Sequence, residues 1–169
     1  MRARRCIAGT AALLASLGAA AATHAAQPVT PRLPGLVHAA VVVVAPEAAS
    51  AQPVSLRLTL SYEMQCGYPG RGPVVLRFPG GVRLPARLAA TDVLVDGRRA
   101  RSTTLVGGVL TIGLPPPPQV MCDVIGPGRL TVAITPAAGV GNPVRPGVYA
   151  LLATVGTGSF TASFTVRPA

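Results

Sequence analysis

The sequence has no lysine and no tryptophan, and it is poor in charged and aromatic side chains. All 15 basic residues among the 169 are arginine, and only five residues are acidic, so the net charge is +10. Aromatic residues make up 4% of the chain and charged residues 12%, about half the usual share. So few aromatic side chains argue against nucleic acid as a partner, because single strands are bound mainly by base stacking.

The groups that usually carry out catalysis are also scarce. Apart from His24 near the N-terminus, the one histidine is His38 in a valine-rich run, where a single histidine is more often packed than catalytic. The acidic residues are dispersed, and neither a Gly-x-Ser-x-Gly motif nor a phosphate-binding loop occurs. Asp123 could bind calcium with loop carbonyls, but no Asp- or Asn-rich loop surrounds it. We therefore expect no enzyme, no cofactor and no metal site.

The first 25 residues have the pattern of a secretory signal peptide. A start with three arginines is followed by an apolar run over residues 7–22 and then by small residues. We expect cleavage after Ala25, with Ala26 as the near alternative. A retained membrane anchor is the other interpretation, but the run is shorter than the ~20 residues that span a bilayer. The pattern predicts an exported protein, secreted or associated with the cell envelope, with no transmembrane span after cleavage.

Cleavage would leave two cysteines, Cys66 and Cys122, and a net charge of about +7. An even number of cysteines in an exported chain predicts a disulfide, worth roughly 4 kcal/mol in the loop-entropy model. Two unpaired buried thiols are the alternative. A metal site is supported less, because the two cysteines and His38 lack the spacing of metal ligands.

Alternation of apolar and polar residues predicts β-strands along most of the remaining chain. The clearest case is residues 54–62, where valine, leucine and tyrosine alternate with serine, arginine and threonine. The 19 glycines and 18 prolines disfavour helices and separate the strands at intervals of about 8–12 residues. We expect strands at residues 36–45, 54–62, 74–78, 92–95, 98–105, 109–114, 130–135, 149–155 and 159–166.

Turn signals join these strands. Asp96-Gly97 and the glycine pair at residues 107–108 predict tight turns, because glycine accepts a positive φ without steric cost. The four prolines at residues 115–118 favour a rigid connector over a polyproline ligand. Residues 84–90 are the one segment expected to form a helical turn.

The pattern as a whole predicts an all-β protein with about eight or nine short strands in one antiparallel β-sandwich. No repeat of 20–50 residues occurs, so we expect a single module. We assign residues 1–25 to the signal peptide, which would form a helix, residues 26–35 to an irregular lead-in, and residues 36–169 to the sandwich.

Three motifs occur in a distinctive order. A strand ends in Phe-Pro-Gly-Gly at residues 78–81, a Val-Leu-Val-Asp-Gly hairpin follows at 93–97, and residues 139–149 read Gly-Val-Gly-Asn-Pro-Val-Arg-Pro-Gly-Val-Tyr. Together they resemble the immunoglobulin-like module of bacterial and archaeal cell-surface and S-layer-associated proteins, over residues 40–166. This resemblance implies an immunoglobulin-like β-sandwich that has no catalytic residues.

The late motif also has a physical interpretation of its own. Pro143 fixes its own φ and keeps Asn142 out of the helical region. Pro146 and Gly147 suit a type II turn, in which glycine takes the positive φ. Tyr149 then enters a strand, where its ring can pack inward and its hydroxyl can reach a loop backbone. We expect these residues to have structural roles.

A cluster of arginines around the predicted hairpin is the strongest candidate for binding. Such a patch could hold an anionic polymer of the cell envelope, such as a polyphosphate, an acidic glycan or lipid head groups. The alternative is that these arginines simply solvate the outer face of the sheet. The residues are Arg83, Arg87, Arg98, Arg99 and Arg101.

These observations predict an exported, non-enzymatic module, either structural or ligand-binding, that is associated with the cell envelope. Its partner would be an anionic envelope polymer or another surface protein. The alternative is a freely secreted inhibitor or ligand-binding domain that acts on a soluble partner.

Overall fold

The computed structural model describes residues 37–64, 72–116, 126–156 and 158–169, which form two antiparallel β-sheets of five strands each. The all-β sandwich is confirmed, with ten strands where eight or nine were expected. The described residues contain no α-helix, only two short 3₁₀ turns at Ala90–Asp92 and Pro136–Ala138. The expected signal helix and the lead-in lie outside the described residues, as do Cys66 and Cys122.

The described part of the chain has ten strands. In order they are β1 (Val37–Ala45), β2 (Ser55–Met64), β3 (Val74–Arg77), β4 (Val93–Val95), β5 (Arg98–Arg99), β6 (Ser102–Val106), β7 (Val109–Gly113), β8 (Gly126–Ile134), β9 (Gly147–Val155) and β10 (Gly158–Val166). Sheet 1 has the order β1-β2-β8-β4-β5, and sheet 2 has the order β10-β9-β3-β7-β6.

This strand order is that of a constant-type immunoglobulin domain. In sheet 1, strands β1, β2, β8 and β4 occupy the positions of strands A, B, E and D. In sheet 2, strands β10, β9 and β3 occupy the positions of G, F and C. The additions are β5, which extends sheet 1 beyond the D position, and the β6–β7 hairpin, which extends sheet 2 beyond the C position.

The alternation along each strand separates a buried face from an exposed one. In β2, Leu58 and Leu60 are 0% exposed, whereas Arg57 between Leu56 and Leu58 faces solvent. The inner faces of both sheets supply one apolar core, and its burial is the main stabilising term of the fold. The largest fully buried side chains are Leu58, Leu60, Leu76, Leu110, Ile112, Leu130, Ile134 and Leu151.

Two local expectations were wrong. Residues 98–105 form two strands in different sheets, because the chain crosses from sheet 1 to sheet 2 at Ala100 and Arg101. The N–H of Ala100 donates to β4 in sheet 1, and that of Arg101 donates to β7 in sheet 2. Residues 84–89 form no helical turn, because Pro85 keeps the preceding residue extended and Leu88 is drawn into the core.

The two predicted tight turns are confirmed. Asp96 and Gly97 have φ values of 49° and 76°, and Gly107 and Gly108 have 56° and 79°. Positive φ at both central residues defines the type I′ turn that matches the twist of a hairpin. The first turn joins β4 to β5, and the second joins β6 to β7.

Candidate functional site

The five arginines that the sequence groups around one hairpin do not converge on one face. Arg83 lies in a junction between loops, where its Nη2 donates to the backbone carbonyl of Ser50. Its backbone also pairs in both directions with Gly141, at 2.9 and 2.8 Å. These contacts make Arg83 part of the loop framework. Arg87 is exposed in the segment that leads to β4.

Arg98 and Arg99 diverge because they are successive residues of one strand, and successive side chains point to opposite faces. Arg98 pairs with the inward-facing Val95, and its Nη1 donates to the carbonyl of Pro116 at 2.6 Å. Arg99 pairs with Leu94, whose side chain lies on the outer face of sheet 1. One guanidinium therefore braces the connection after β7, and the other faces solvent.

Arg101 lies beside a groove at the edge of sheet 2. The groove has a volume of about 460 Å³ and opens to solvent. Thr104 on β6 lies opposite Thr111 on β7, so both side chains stand on the same outer face of the sheet. The lining residues are Gly72, Pro73, Arg101, Ser102, Thr104, Thr111, Gly113 and Leu114.

One cation, Arg101, lines this groove. No acidic residue lines it. Within the four described stretches of chain, the one ion pair joins Arg167 Nε to Glu47 Oε2 at 2.6 Å, so no described carboxylate neutralises Arg101. A guanidinium presents five N–H donors, and three hydroxyl groups in the groove add further donors. Phosphate and carboxylate oxygens are the acceptors that such a set binds best.

A glycine keeps the groove open. A Cβ on Gly113 would overlap Oγ of Ser102 on the neighbouring strand, so a larger residue at this position would displace the groove wall. Of the lining residues, the sequence analysis named Arg101 alone. The sequence does indicate that Thr104 and Thr111 lie opposite each other. Thr104 is three residues before the glycine pair of the predicted turn, and Thr111 is three residues after it.

The late sequence motif joins loops. Asn142, next to Pro143, is 2% exposed, and its Nδ2 donates to the carbonyls of Pro46 at 2.8 Å and Ala48 at 2.9 Å. Gly147 is the first residue of β9 and has a φ of 158°, so the stretch Pro146-Gly147 does not form the expected type II turn.

Tyr149 is placed as in immunoglobulin domains. Its hydroxyl donates to the carbonyl of Arg145 at 2.7 Å, and its ring stacks on Phe164 with centroids 5.8 Å apart. A tyrosine near the start of strand F that bonds to backbone a few residues upstream is the tyrosine corner of that fold. This contact gives the immunoglobulin-like assignment support beyond strand order.

Other candidate positions fall outside the described residues. Cys66, Cys122 and Asp123 do so entirely, and of His38 the structure describes the backbone only. Among the residues that it does describe, no three His, Cys, Asp or Glu side chains group together as a metal site would require. The same part of the chain contains no helix long and apolar enough to cross a membrane.

Comparison with known proteins finds similarity among solved structures alone. No family model and no curated protein matches the chain. Among solved structures, the chain is similar to one titled "Crystal structure of BslA - A bacterial hydrophobin". The two are 16% identical with a TM-score of 0.47, and the likeness covers 78% of this chain and 100% of the other. A likeness this distant says nothing about ligand or activity.

Proposed function

We propose that this protein is an exported, non-enzymatic binding module that holds an anionic polymer of the cell envelope in the groove beside Arg101. The observation that carries the proposal is a cationic, hydroxyl-lined groove without an acidic residue. The N-terminal signal pattern supports export. The motif resemblance to cell-surface and S-layer-associated modules agrees with a place on the envelope.

The groove binds by charge and hydrogen bonds and needs no reaction. The Arg101 guanidinium donates to a phosphate or carboxylate oxygen, and the hydroxyls of Ser102, Thr104 and Thr111 bond to neighbouring oxygens of the same repeat unit. Because the groove opens to solvent, a long polymer can extend beyond it. The excess of arginine over acidic residues adds attraction that weakens as salt screens it.

The test is titration of the purified exported protein with sodium polyphosphate at several salt concentrations, with neutral dextran as the uncharged control. R101Q should weaken polyphosphate binding about tenfold or more, because it removes charge-assisted hydrogen bonds. R129Q is the matched control, since Arg129 is an exposed arginine on the outer face of sheet 1 and its loss changes the net charge equally.

Three results would contradict the proposal. If the wild-type protein does not bind polyphosphate, the proposed binding of an anionic polymer is wrong. Equal weakening in R101Q and R129Q means that net charge binds the polymer and the groove does not. Equal binding to dextran means that charge is irrelevant.

Export and retention can be tested on the native protein by measuring intact mass in culture medium and in the cell envelope. We expect envelope protein that begins at residue 26 or 27 and takes up two alkyl groups only after reduction, because Cys66 and Cys122 would form a disulfide. Complete release into the medium would favour the freely secreted inhibitor or ligand-binding domain.

A further inference from the structure

The two open sides of the sandwich differ in how their edge strands are protected. Strands β5 and β6 are the edges on one side, and β1 and β10, which contact each other, are the edges on the other. On the first side, β5 is two residues long and both are arginine, and Arg101 follows. Short, charged edge strands discourage pairing with another strand.

The β1 edge has no such protection. Its nine residues pair with β2, and among the described residues no other strand pairs with them. Residues 39–45 contain no charge, proline or glycine. The outward side chains of Val41 and Val43 are 58% and 54% exposed. A long, uncharged and apolar edge is a site at which another strand can be added.

The hydrogen-bond pattern of sheet 1 shows which backbone groups of β1 are available. The Asp96 N–H donates to the carbonyl of Thr131, so the Thr131 backbone groups face β4. Because these groups alternate along an antiparallel strand, those of the opposing Thr59 face β1 and bond to Val41. The N–H and C=O groups of the even-numbered residues therefore face away from β2. These residues are Ala40, Val42 and Val44.

The other edge on this side is less suited to association. The outward residues of β10 are Ser159, Thr161, Ser163 and Thr165, which leave hydroxyl groups in water. Covering them removes little apolar surface, whereas covering the exposed valines of β1 removes apolar surface from water.

We propose that β1 pairs antiparallel with β1 of a second copy of this chain, so that the two copies of sheet 1 become one ten-stranded sheet. A two-fold axis at Val42 places its outward backbone groups against those of its own copy. In the same register, Val41 of each copy lies opposite Val43 of the other copy. These two pairs cover all four exposed valines.

Charge does not oppose a second copy at the β1 edge, whereas it does along β5. Two positively charged copies repel where arginine meets arginine, as they would along β5. The nearest cation on β2 is Arg57, which lies opposite Val43. In the proposed register the two Arg57 residues are three strand spacings apart and offset by two residues, about 16 Å. This distance exceeds the ~8 Å Debye length at physiological salt, so the repulsion is screened.

The test is the molar mass of the protein purified from its native host, measured by light scattering over a range of concentrations. A strand-pair interface is small, so we expect a dimer with a Kd on the order of micromolar to tens of micromolar. V41K/V43K should weaken association at least about tenfold, because it places charge on the edge. V106K/V148K is the matched control. Val106 and Val148 lie away from β1 and are 70% and 73% exposed, and the two introduced lysines add the same charge as V41K/V43K.

Amide hydrogen exchange supplies a second readout. Protection of the Ala40, Val42 and Val44 amides should rise with concentration in the wild type and not in V41K/V43K. Unchanged thermal unfolding of both variants would show that they fold.

Each contrary result overturns the proposal. A monomer up to about 1 mM does so, far above the expected Kd. A dimer that survives V41K/V43K places the interface elsewhere, and equal loss in V106K/V148K makes net charge the cause. A monomer whose three amides are protected means that another segment of the same chain covers the edge.

Discussion

Among the described residues, Asn142 is the one buried polar side chain, and its removal should cost more than any exposed contact. Its Nδ2 donates to the carbonyls of Pro46 and Ala48, at 2.8 and 2.9 Å, and its N–H donates to Ala51 at 2.9 Å. These three bonds fasten the loop after β1 to the connection between β8 and β9.

N142A removes two side-chain hydrogen bonds and leaves their acceptors without the donor. Each bond contributes about 1 kcal/mol net, and acceptors left partly buried add to the loss. We expect the free energy of unfolding to fall by about 2–3 kcal/mol, measured by urea titration with an unchanged slope. Q52A is the control, because Gln52 donates one bond to Gly139 from an exposed site and should cost less than about 0.5 kcal/mol.

N142D tests the same contacts by charge. The introduced carboxylate would face two carbonyl oxygens, so burial and repulsion raise its pKa above the unfolded value of about 3.9. A raised folded pKa means that stability is highest while the group is protonated and falls as pH rises above about 4. N142D should therefore be less stable than N142A at pH 7, with a smaller difference near pH 3.5. A cost for N142A below about 0.5 kcal/mol would refute the reasoning.

Two further substitutions probe the turn and the packing of sheet 1. Asp96 Oδ1 accepts from the Thr131 N–H at 2.7 Å, and Asp96 has a φ of 49°, so D96A should lose about 1–2 kcal/mol in urea titration. D96N keeps the acceptor and tolerates this φ, so an equal loss would contradict the role of that oxygen. A Cβ on Gly128 would overlap the Tyr62 ring, so G128A should lower stability by about 1–3 kcal/mol in thermal unfolding. G80A meets nothing within 4 Å and should be nearly neutral; equal effects would show that the ring can move at no cost.

Alternation was a reliable guide to strands because it reports a physical condition, the burial of one face. It placed residues 54–62 correctly, where leucine side chains enter the core and Arg57 does not. It could not show that the chain leaves one sheet for the other at Ala100. Residues 98–104 contain one apolar side chain, Ala100, so no alternation marks the crossing. The partner that decides the sheet lies on a different strand in each case.

The candidate site was predictable only in part, for the same reason. Arg101 was identifiable as an exposed cation, but the groove also needs Thr111 and Gly113 from the strand opposite. The sequence places Arg83 in the surface patch because nothing near it in the chain indicates a partner. Its guanidinium donates to the carbonyl of Ser50, which is 33 residues away in sequence. Hydrogen bonds between distant loops leave no periodic trace in a sequence.

The order of the strands has a consequence for when this chain can fold. Interior strand β2 needs β8, which begins at Gly126, and β3 needs β9, which begins at Gly147. When the chain is synthesised from its N-terminus, most of the core residues are therefore made before either sheet can be completed. Pairing between such distant segments is slow, because the loop between them must first be closed. That delay suits a polypeptide that must stay unfolded while it crosses a membrane, as the proposed export requires.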